Sequence, residues 1–332
     1  MKAIALISGG LDSILAARII KEEGIDVLPL NFKIPFCHNK KRGQPDDGVN
    51  SLVKNSLEKE LQVVDISGEF LSLLLNPKHG FGSNMNPCID CKIFMLKKAK
   101  ELMPALGAQF VVTGEVLGQR PMSQHRRALE IIEKESGLSG LLLRPLCAGI
   151  LPETLPEKEG WVKRERLFKF SGRGRRPQME LAEKFNISNY PNAAGGCLLT
   201  DEQFSARLKD LIVHKSLNID DVTLLKTGRH FRLTEKAKLV VGRNEEENKI
   251  LEASALKSDY LFIPNSELAG PACLGRGEFN DELIRLSAAI ASYYCDLNTD
   301  KSARLIYYKP GEIRSEINAS PISEDELDYL RL

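Results

Sequence analysis

An apolar run at residues 3–7 ends in Ser8-Gly9-Gly10-Leu11-Asp12-Ser13, and a helical pattern begins at once behind it. A buried strand that turns through two glycines into a helix opens a strand–helix unit and puts the first strand inside a sheet. The pattern repeats. Residues 12–23 place Ile14, Leu15, Ile19 and Ile20 on one helical face, Gly24 ends that helix, and residues 27–32 read as a second strand. After a polar segment, residues 48–61 read as a helix, 62–66 as a strand, 91–106 as a helix and 110–113 as a strand closed by Gly114. This alternation predicts an α/β fold with βαβ units, a parallel sheet, and a ligand at the carboxyl ends of its strands.

The whole chain excludes several other classes. Its 332 residues give room for about two domains, and 42% hydrophobic with 27% charged residues is an ordinary globular balance. Lys+Arg 46 against Asp+Glu 45 leaves a net charge of +1, which excludes a uniformly basic coat but not a local basic face. No apolar run approaches the roughly 20 residues that span a bilayer, so no membrane partner is expected. The apolar start is too short for a signal peptide. A cytoplasmic protein is expected, whose seven cysteines are thiols or metal ligands rather than disulfides.

From Gly160 the character changes. Residues 163–176 carry Lys163, Arg164, Arg166, Lys169, Arg173, Arg175 and Arg176 against Glu165 alone. A helix at 178–185, a turn-rich stretch at 186–196 and a helix near 202–213 follow, and the pattern weakens around 215–221. This predicts a first domain of residues 1–214 and a smaller α+β domain of residues 215–332. The second domain reads as a hairpin (231–233 with 239–241), a helix (245–256), a strand (260–264), a helix (281–294) and a strand (304–308).

In the loop at residues 8–13, glycines let successive N–H groups turn toward one anion, and the helix N-terminus adds its positive dipole end. Ser8 and Ser13 offer hydroxyls, and Asp12 suits a magnesium ion carried by phosphates. The hexapeptide resembles the signature of the PP-loop ATP pyrophosphatases, which cleave ATP between the α and β phosphates and leave an adenylated oxygen on the substrate. A second stretch, Thr113-Gly114-Glu115-Val116-Leu117-Gly118-Gln119 with Ser123-Gln124, follows a strand. Gly114 lets a base or ribose lie against the backbone, and Gln119 and Gln124 offer amides. It looks like the nucleotide-side motif of the PP-loop enzymes that make 4-thiouridine in tRNA. The resemblance implies a HUP-like (adenine nucleotide alpha hydrolase) domain that uses ATP and Mg2+. Ser8, Gly9, Gly10, Asp12, Ser13, Thr113, Gly114 and Gln119 would be at the nucleotide.

Cys88-Ile89-Asp90-Cys91 opens a helix, where thiolates are favoured. A thioredoxin-type redox pair has a similar motif but follows the first strand of a different βαβ arrangement, and a structural zinc site would want four closed ligands. Cys197, behind Gly195-Gly196, is the candidate third ligand, and three thiols without a fourth suggest a four-iron cluster (4Fe-4S) with one open iron. Several sulfur-inserting PP-loop enzymes resemble this pattern. In cluster-free tRNA thiolases two distant cysteines act as sulfur carrier and disulfide partner, roles open to Cys91 (or Cys88) and Cys197. Cys37 is a candidate substrate contact near the ATP edge of the sheet, while Cys147, Cys273 and Cys295 read as buried small hydrophobes.

The basic stretch interleaves Trp161, Phe168 and Phe170, the mix of an RNA-backbone surface with stacking platforms. Lys163, Arg164, Arg173, Arg175 and Arg176 are its candidate RNA contacts, and residues 172–176 also suit ATP phosphates or pyrophosphate. In the tail, Thr227-Gly228-Arg229-His230-Phe231-Arg232-Leu233 and Gly242-Arg243-Asn244 look like the small RNA-binding module of NFACT-type proteins. Arg229, His230, Arg232 and Arg243 would then meet phosphates. Together these resemblances imply an ATP-dependent tRNA sulfurtransferase, 4-thiouridine favoured, with Asp12, Cys88, Cys91 and Cys197 catalytic and tRNA plus inorganic sulfide or a sulfur-donor protein as partners. A PP-loop enzyme that adenylates a small molecule, and a non-catalytic RNA- or ribosome-associated binder, are the alternatives. The first needs no RNA surface; the second needs no cysteine set.

Overall fold

The structure is a computed structural model of the chain and describes residues 1–36, 47–190, 197–297 and 302–332. It divides into two units, residues 1–200 and 201–332. The first contains β1 (Lys2–Leu6), α1 (Leu11–Glu22), β2 (Asp26–Lys33), α2 (Asp47–Leu57), β3 (Gln62–Asp65), α3 (Ser67–Leu75) and α4 (Cys88–Leu106). These are followed by β4 (Phe110–Val112), α5 (Arg126–Glu135), β5 (Leu142–Leu143), α6 (Leu155–Lys158) and α7 (Arg176–Lys184). The strands form the expected parallel sheet in the order β3-β2-β1-β4-β5. Alternation along β1 sends Ala3 and Ala5 into a core with Ile14 and Ile20 of α1, Val53 of α2 and Leu181 of α7. Ile4 goes to the other face with Ile93 and Leu96 of α4 and Ile132 of α5. Each such buried side chain contributes about 1.5–3 kcal/mol, and both faces need covering, hence three layers. Strand order reverses between β1 and β4. A crevice therefore opens at their carboxyl ends, where residues 8–13 leave β1 and residues 113–124 leave β4.

The second unit contains α8 (Glu202–Val213), α9 (Ile219–Leu224), β6 (Arg229–Thr234), β7 (Ala237–Val241), α10 (Glu245–Ala253) and β8 (Tyr260–Pro264). β9 (Cys273–Gly277), α11 (Asp281–Tyr293), β10 (Ala303–Tyr308), β11 (Ser315–Ala319) and α12 (Glu324–Leu330) complete it. Its sheet is antiparallel in the order β11-β10-β8-β9-β7-β6. One face packs Phe231, Leu239, Phe262 and Leu305 on Ile284 and Ala288 of α11 and Leu327 of α12. The other packs Val240, Leu261 and Leu274 on Leu224 of α9 and Leu251 of α10. Helices α8 to α12 begin on Asp201, Asn218, Asn244, Asn280 and Ser323, whose side chains accept an N–H of the first turn.

The boundary differs from the expected 214/215. The chain divides after Thr200, so α8 goes with the second sheet. Arg232 of β6 donates to Asp210 of α8 at 2.9 Å, and Arg207 of α8 donates to the Leu225 carbonyl at 3.1 Å. Among the described residues no helix is long and apolar enough to cross a membrane.

Candidate active site

The loop after β1 is shaped by its own hydroxyls. Ser13 Oγ donates to the Gly10 carbonyl at 2.7 Å and accepts from the Ser8 amide at 3.2 Å, while the Gly10 amide donates to Ser8 Oγ at 3.4 Å. Gly9 sits at φ +87°, a left-handed conformation that favours glycine. Gly114 closes the other side. A Cβ there would lie 2.4 Å from the Asp12 backbone, so only glycine lets the chain leaving β4 rest on the first turn of α1.

Asp12 is the centre of this crevice. Its Oδ2 accepts from Gln119 Nε2 at 2.7 Å, and Gln119 Oε1 accepts in turn from Gln178 Nε2 of α7 at 3.2 Å. Its Oδ1 is buried without a hydrogen bond and faces Arg175 Nη2 at 3.8 Å. Arg175 Nε and Gln178 Oε1 are likewise buried and unsatisfied, as is Gln124 Oε1 of the same motif. Buried polar atoms are normally paired, so this group has the character of a site for a polar ligand. A carboxylate oxygen, a guanidinium N–H and a helix N-terminus together fit magnesium and phosphate.

Arg175 reaches this place because the Gly118 and Gly172 turns lie together. The Gly172 amide donates to the Leu117 carbonyl at 2.8 Å, and Leu117 bridges Ser171 in parallel. Arg175, read from the sequence as an RNA contact or a ligand of ATP phosphates, therefore stands beside Asp12 in the loop after β1. The rest of the basic stretch is also partly compensated within the unit. Arg164 pairs with Glu157 and donates to the Leu151 carbonyl, Arg166 pairs with Glu23 at 3.1 Å, and Arg176 pairs with Glu180 at 2.9 Å. Trp161, Phe168 and Phe170 are half-buried and pack against the core beside α1. Lys163 and Arg173 keep exposed side chains, without an ion pair among the described residues.

The thiols lie on segments that the backbone ties together. Leu198 donates to the Phe36 carbonyl at 3.0 Å, Met85 to the Leu199 carbonyl at 3.1 Å, and the Asn84 side chain to the Thr200 carbonyl at 2.8 Å. This brings the neighbourhood of Cys197 to the start of α4, where Cys88 and Cys91 open the helix. Cys88 Sγ donates to Asn86 Oδ1 at 3.2 Å, and Cys197 Sγ lies 3.8 Å from the Phe36 carbonyl. All three are half-buried, and burial pushes the Cys88 thiol up against the opposing pull of Asn86, Lys92 and Arg120. As a donor set they suit a cluster. Among the described residues no three His, Cys, Asp or Glu side chains are grouped to hold a single metal ion. Cys37 and the Gly195-Gly196 turn lie outside the described residues. Cys147, Cys273 and Cys295 are buried as expected, and burial lifts the Cys147 and Cys295 thiols to about 11.

Glu115 joins the two halves of the site, a role its sequence position did not reveal. It is only 2% exposed, its Oε2 accepts from Thr113 Oγ1 at 3.1 Å and from Arg144 Nε at 3.0 Å, and Lys92, beside Cys91, stands 3.9 Å from Oε1. Burial alone would raise its pKa. Lys92 and Arg144 overcome that and hold the carboxylate below its ordinary value. Met122 of the same motif sits against Gly82 in the loop before Cys88. Residues 113–124 thus touch both the phosphate loop and the cysteine segment.

In the second unit the expected phosphate contacts are mostly internal. His230 is 1% exposed, and its Nε2 lies 2.9 Å from the Thr227 carbonyl and 3.1 Å from that of Leu224. Burial, then Lys238 and Arg207, keep the ring neutral by lowering its pKa well below the usual value. It therefore braces the fold and offers no charge to RNA. Arg232 is engaged by Asp210 and Arg243 by Glu247. Arg229 lies 4.6 Å over the Tyr294 ring and donates to the Gly242 carbonyl at 3.2 Å.

Residues 1–150 match the family model described as "Thiamine biosynthesis protein (ThiI)", and residues 228–330 match "NFACT protein RNA binding domain". The chain is 28% identical over 145 residues to a "Probable tRNA sulfurtransferase" of Thermococcus kodakarensis, covering 44% of this chain and 36% of that protein. It is 32% identical over 130 residues to a "tRNA-specific 2-thiouridylase MnmA" of Petrotoga mobilis, covering 35% of each. The chain thus spans about a third of the length of these two curated relatives. A solved 4-thiouridine synthetase–RNA complex with bound ATP is similar over 68% of this chain and 52% of that one, at a TM-score of 0.40 and 20% identity. Both resemblances read from the sequence hold: the N-terminal match is to the PP-loop ThiI family and the C-terminal match to the NFACT RNA-binding domain.

Proposed function

We propose that the chain is an ATP-dependent tRNA sulfurtransferase that adenylates a uridine carbonyl and replaces its oxygen with sulfur, 4-thiouridine being the favoured product. The observation that carries this reading is the group of buried, unsatisfied atoms around Asp12, with Arg175 and Gln178 beside a helix N-terminus. Asp12 would hold Mg2+ on the phosphates, Ser8, Ser13 and the loop amides would cradle them, and Arg175 would bind the departing pyrophosphate. Thr113, Gly114 and Gln119 would meet the nucleoside. The uridine oxygen attacks the α-phosphorus and pyrophosphate leaves. A carbonyl oxygen is a poor leaving group, whereas the adenylated oxygen departs as AMP when sulfur attacks the same carbon. The 2-thiouridine position is the rival product, since one relative carries that name.

Cys88, Cys91 and Cys197 are the proposed sulfur site. When a four-iron cluster (4Fe-4S) is bound, these three would hold it and its open iron would supply hydrosulfide. In the covalent alternative, Cys91 or Cys88 carries a persulfide and Cys197 becomes its disulfide partner. Inorganic sulfide suits the cluster route alone; in the persulfide route the outer sulfur is transferred from the persulfide of a donor protein, whose thiol is released, and the disulfide left behind is reduced by an external thiol. Asp12→Ala should abolish ATP-dependent pyrophosphate release while the circular dichroism melt stays unchanged; undiminished release would remove the PP-loop assignment.

A further inference from the structure

The loop of residues 77–87, which leads into α4, is pinned along its length. The His79 amide donates to Asp90 Oδ2 at 2.9 Å, and the His79 ring Nε2 lies 3.2 Å from Glu135 Oε2 of α5. Lys78 pairs with the same carboxylate at 2.8 Å. Further on, the Gly82 amide donates to the Asn86 carbonyl at 2.9 Å, and Asn86, itself buried, accepts from Cys88 Sγ. Between these anchors Phe81 is 40% exposed. A lone apolar ring in water needs no explanation. A ring held there by an anchored loop, beside a candidate sulfur site, does.

The neighbours of this loop supply the rest. Met122, half-buried, lies across Gly82, where an added Cβ would come within 2.8–3.0 Å of its Cε, Cγ and Sδ. Met122 stands three residues beyond Gln119, the amide that holds Asp12. The residue next to Phe81 therefore touches the segment that frames the phosphate loop, while its own loop runs on into Cys88. Arg120, on that same segment, is exposed and makes no ion pair among the described residues. Its charge reaches the Cys88 thiol, as that of Lys92 does. The nearby carboxylates are engaged: Asp90 by the His79 amide, Glu135 by Lys78, and Glu115 by Arg144 with Lys92 beside it. An apolar ring, a thioether and a guanidinium thus gather between the two halves of the site.

We infer that Phe81, with Met122 across Gly82, is the platform on which the target uridine stacks once it has left the tRNA stack, and that Arg120 meets the phosphate of that nucleotide. The inference deepens the proposed sulfurtransfer reading and rests on it. Chemistry on a base requires that the base be turned out of its stack, and apolar side chains then replace the lost neighbours. An aromatic ring does this for any base, and a polarisable sulfur packs well against a ring. Stacking occupies only the faces of the pyrimidine. Its carbonyl edge stays free to attack the α-phosphorus and then to receive sulfur. The guanidinium, planar and always charged, suits the phosphate that a turned-out nucleotide brings with it.

Single-turnover release of pyrophosphate by the full chain, with ATP, Mg2+ and rising concentrations of an unmodified tRNA transcript, tests this. Phe81→Ala should lower the maximal tRNA-dependent rate about tenfold and leave ATP affinity by calorimetry unchanged. Phe81→Tyr, which keeps the ring, should restore the rate. Arg120→Ala should instead raise the tRNA concentration giving half the maximal rate, and reduce its salt slope by about 0.7, one lost single-strand phosphate contact. Thermal melts confirm that each variant is folded. A folded Phe81→Ala variant with the wild-type rate, or a Phe81→Tyr variant as slow as Phe81→Ala, would overturn the inference alone. So would an equal loss of ATP affinity, which would make Phe81 part of the nucleotide pocket. A wild-type chain that releases no pyrophosphate with tRNA would overturn the sulfurtransferase reading and the inference with it.

Discussion

Asp12 is oriented by a neutral amide and only approached by a cation, which leaves one carboxylate oxygen buried and unsatisfied. That arrangement keeps the residue available for a metal ion, at the cost of an unpaired oxygen. Arg175→Ala should therefore lower pyrophosphate release at least tenfold, with Arg175→Lys intermediate and tRNA affinity unaltered; an equal loss of tRNA binding in a filter assay would return Arg175 to the RNA surface. His230 makes a separate prediction. Its folded pKa lies well below the ordinary 6.5, so between those two values the unfolded chain binds a proton that the folded chain does not. Stability should thus fall as pH drops below about 6.5, by up to about 1.4 kcal/mol per pH unit until the folded pKa is passed. His230→Asn should flatten that slope in urea melts taken from pH 7 to pH 5. The hexapeptide at residues 8–13 was legible in the sequence because its hydrogen bonds are local. Arg175 was legible only as one of two alternatives, RNA or ATP phosphates, and the role of Glu115 was not legible, because their partners come from elements distant along the chain.

At the scale of elements, strands and helices with clean periodicity were read to within a few residues. α3, α6, α9, β5, β9, β11 and α12 were not read: β5 is two residues long, and β11 is a polar, exposed edge strand. α5 was also missed, although Ala128, Leu129 and Ile132 form an apolar stripe along it. The docking of α8 was invisible for a different reason, since it depends on Asp210 meeting Arg232 across the fold. Asp210→Ala should leave Arg232 half-enclosed without its counterion and destabilise the second unit by about 3–5 kcal/mol; a shift below 1 kcal/mol in chemical denaturation would mean that α8 is held by its apolar face alone. Gly114→Ala should displace the first turn of α1, because a Cβ 2.4 Å from the Asp12 backbone cannot be accommodated in place. A loss of about 1–3 kcal/mol accompanied by a larger loss of nucleotide affinity is expected, and unchanged ATP binding by calorimetry would contradict the close approach. For the cysteine segment, anaerobically purified protein should hold about four iron and four acid-labile sulfide per chain. Alanine at Cys88, Cys91 or Cys197 should lose both, and alanine at Cys147 should keep them. An iron-free, active preparation with a trappable persulfide would instead support the covalent route.

The whole molecule combines a parallel-sheet unit with ATP-loop geometry and an antiparallel unit matched to an RNA-binding family. The division of labour was legible from two motifs and a change of composition, but the surfaces were not. Charge counted along a sequence cannot show that Arg164, Arg166, Arg232 and Arg243 are paired within their own units. In the proposed reaction, ATP cleavage in the first unit activates a uridine of tRNA for sulfur attack. The decisive measurement is nucleoside mass spectrometry of an unmodified tRNA transcript incubated anaerobically with the protein, ATP, Mg2+ and isotopically labelled sulfide or, in a parallel reaction, a labelled persulfide donor. One thiolated uridine carrying the labelled sulfur should appear, dependent on ATP and lost in Asp12→Ala. Cleavage of ATP to AMP and pyrophosphate with no thiolated nucleoside would contradict the account and point to a different acceptor for the adenylate.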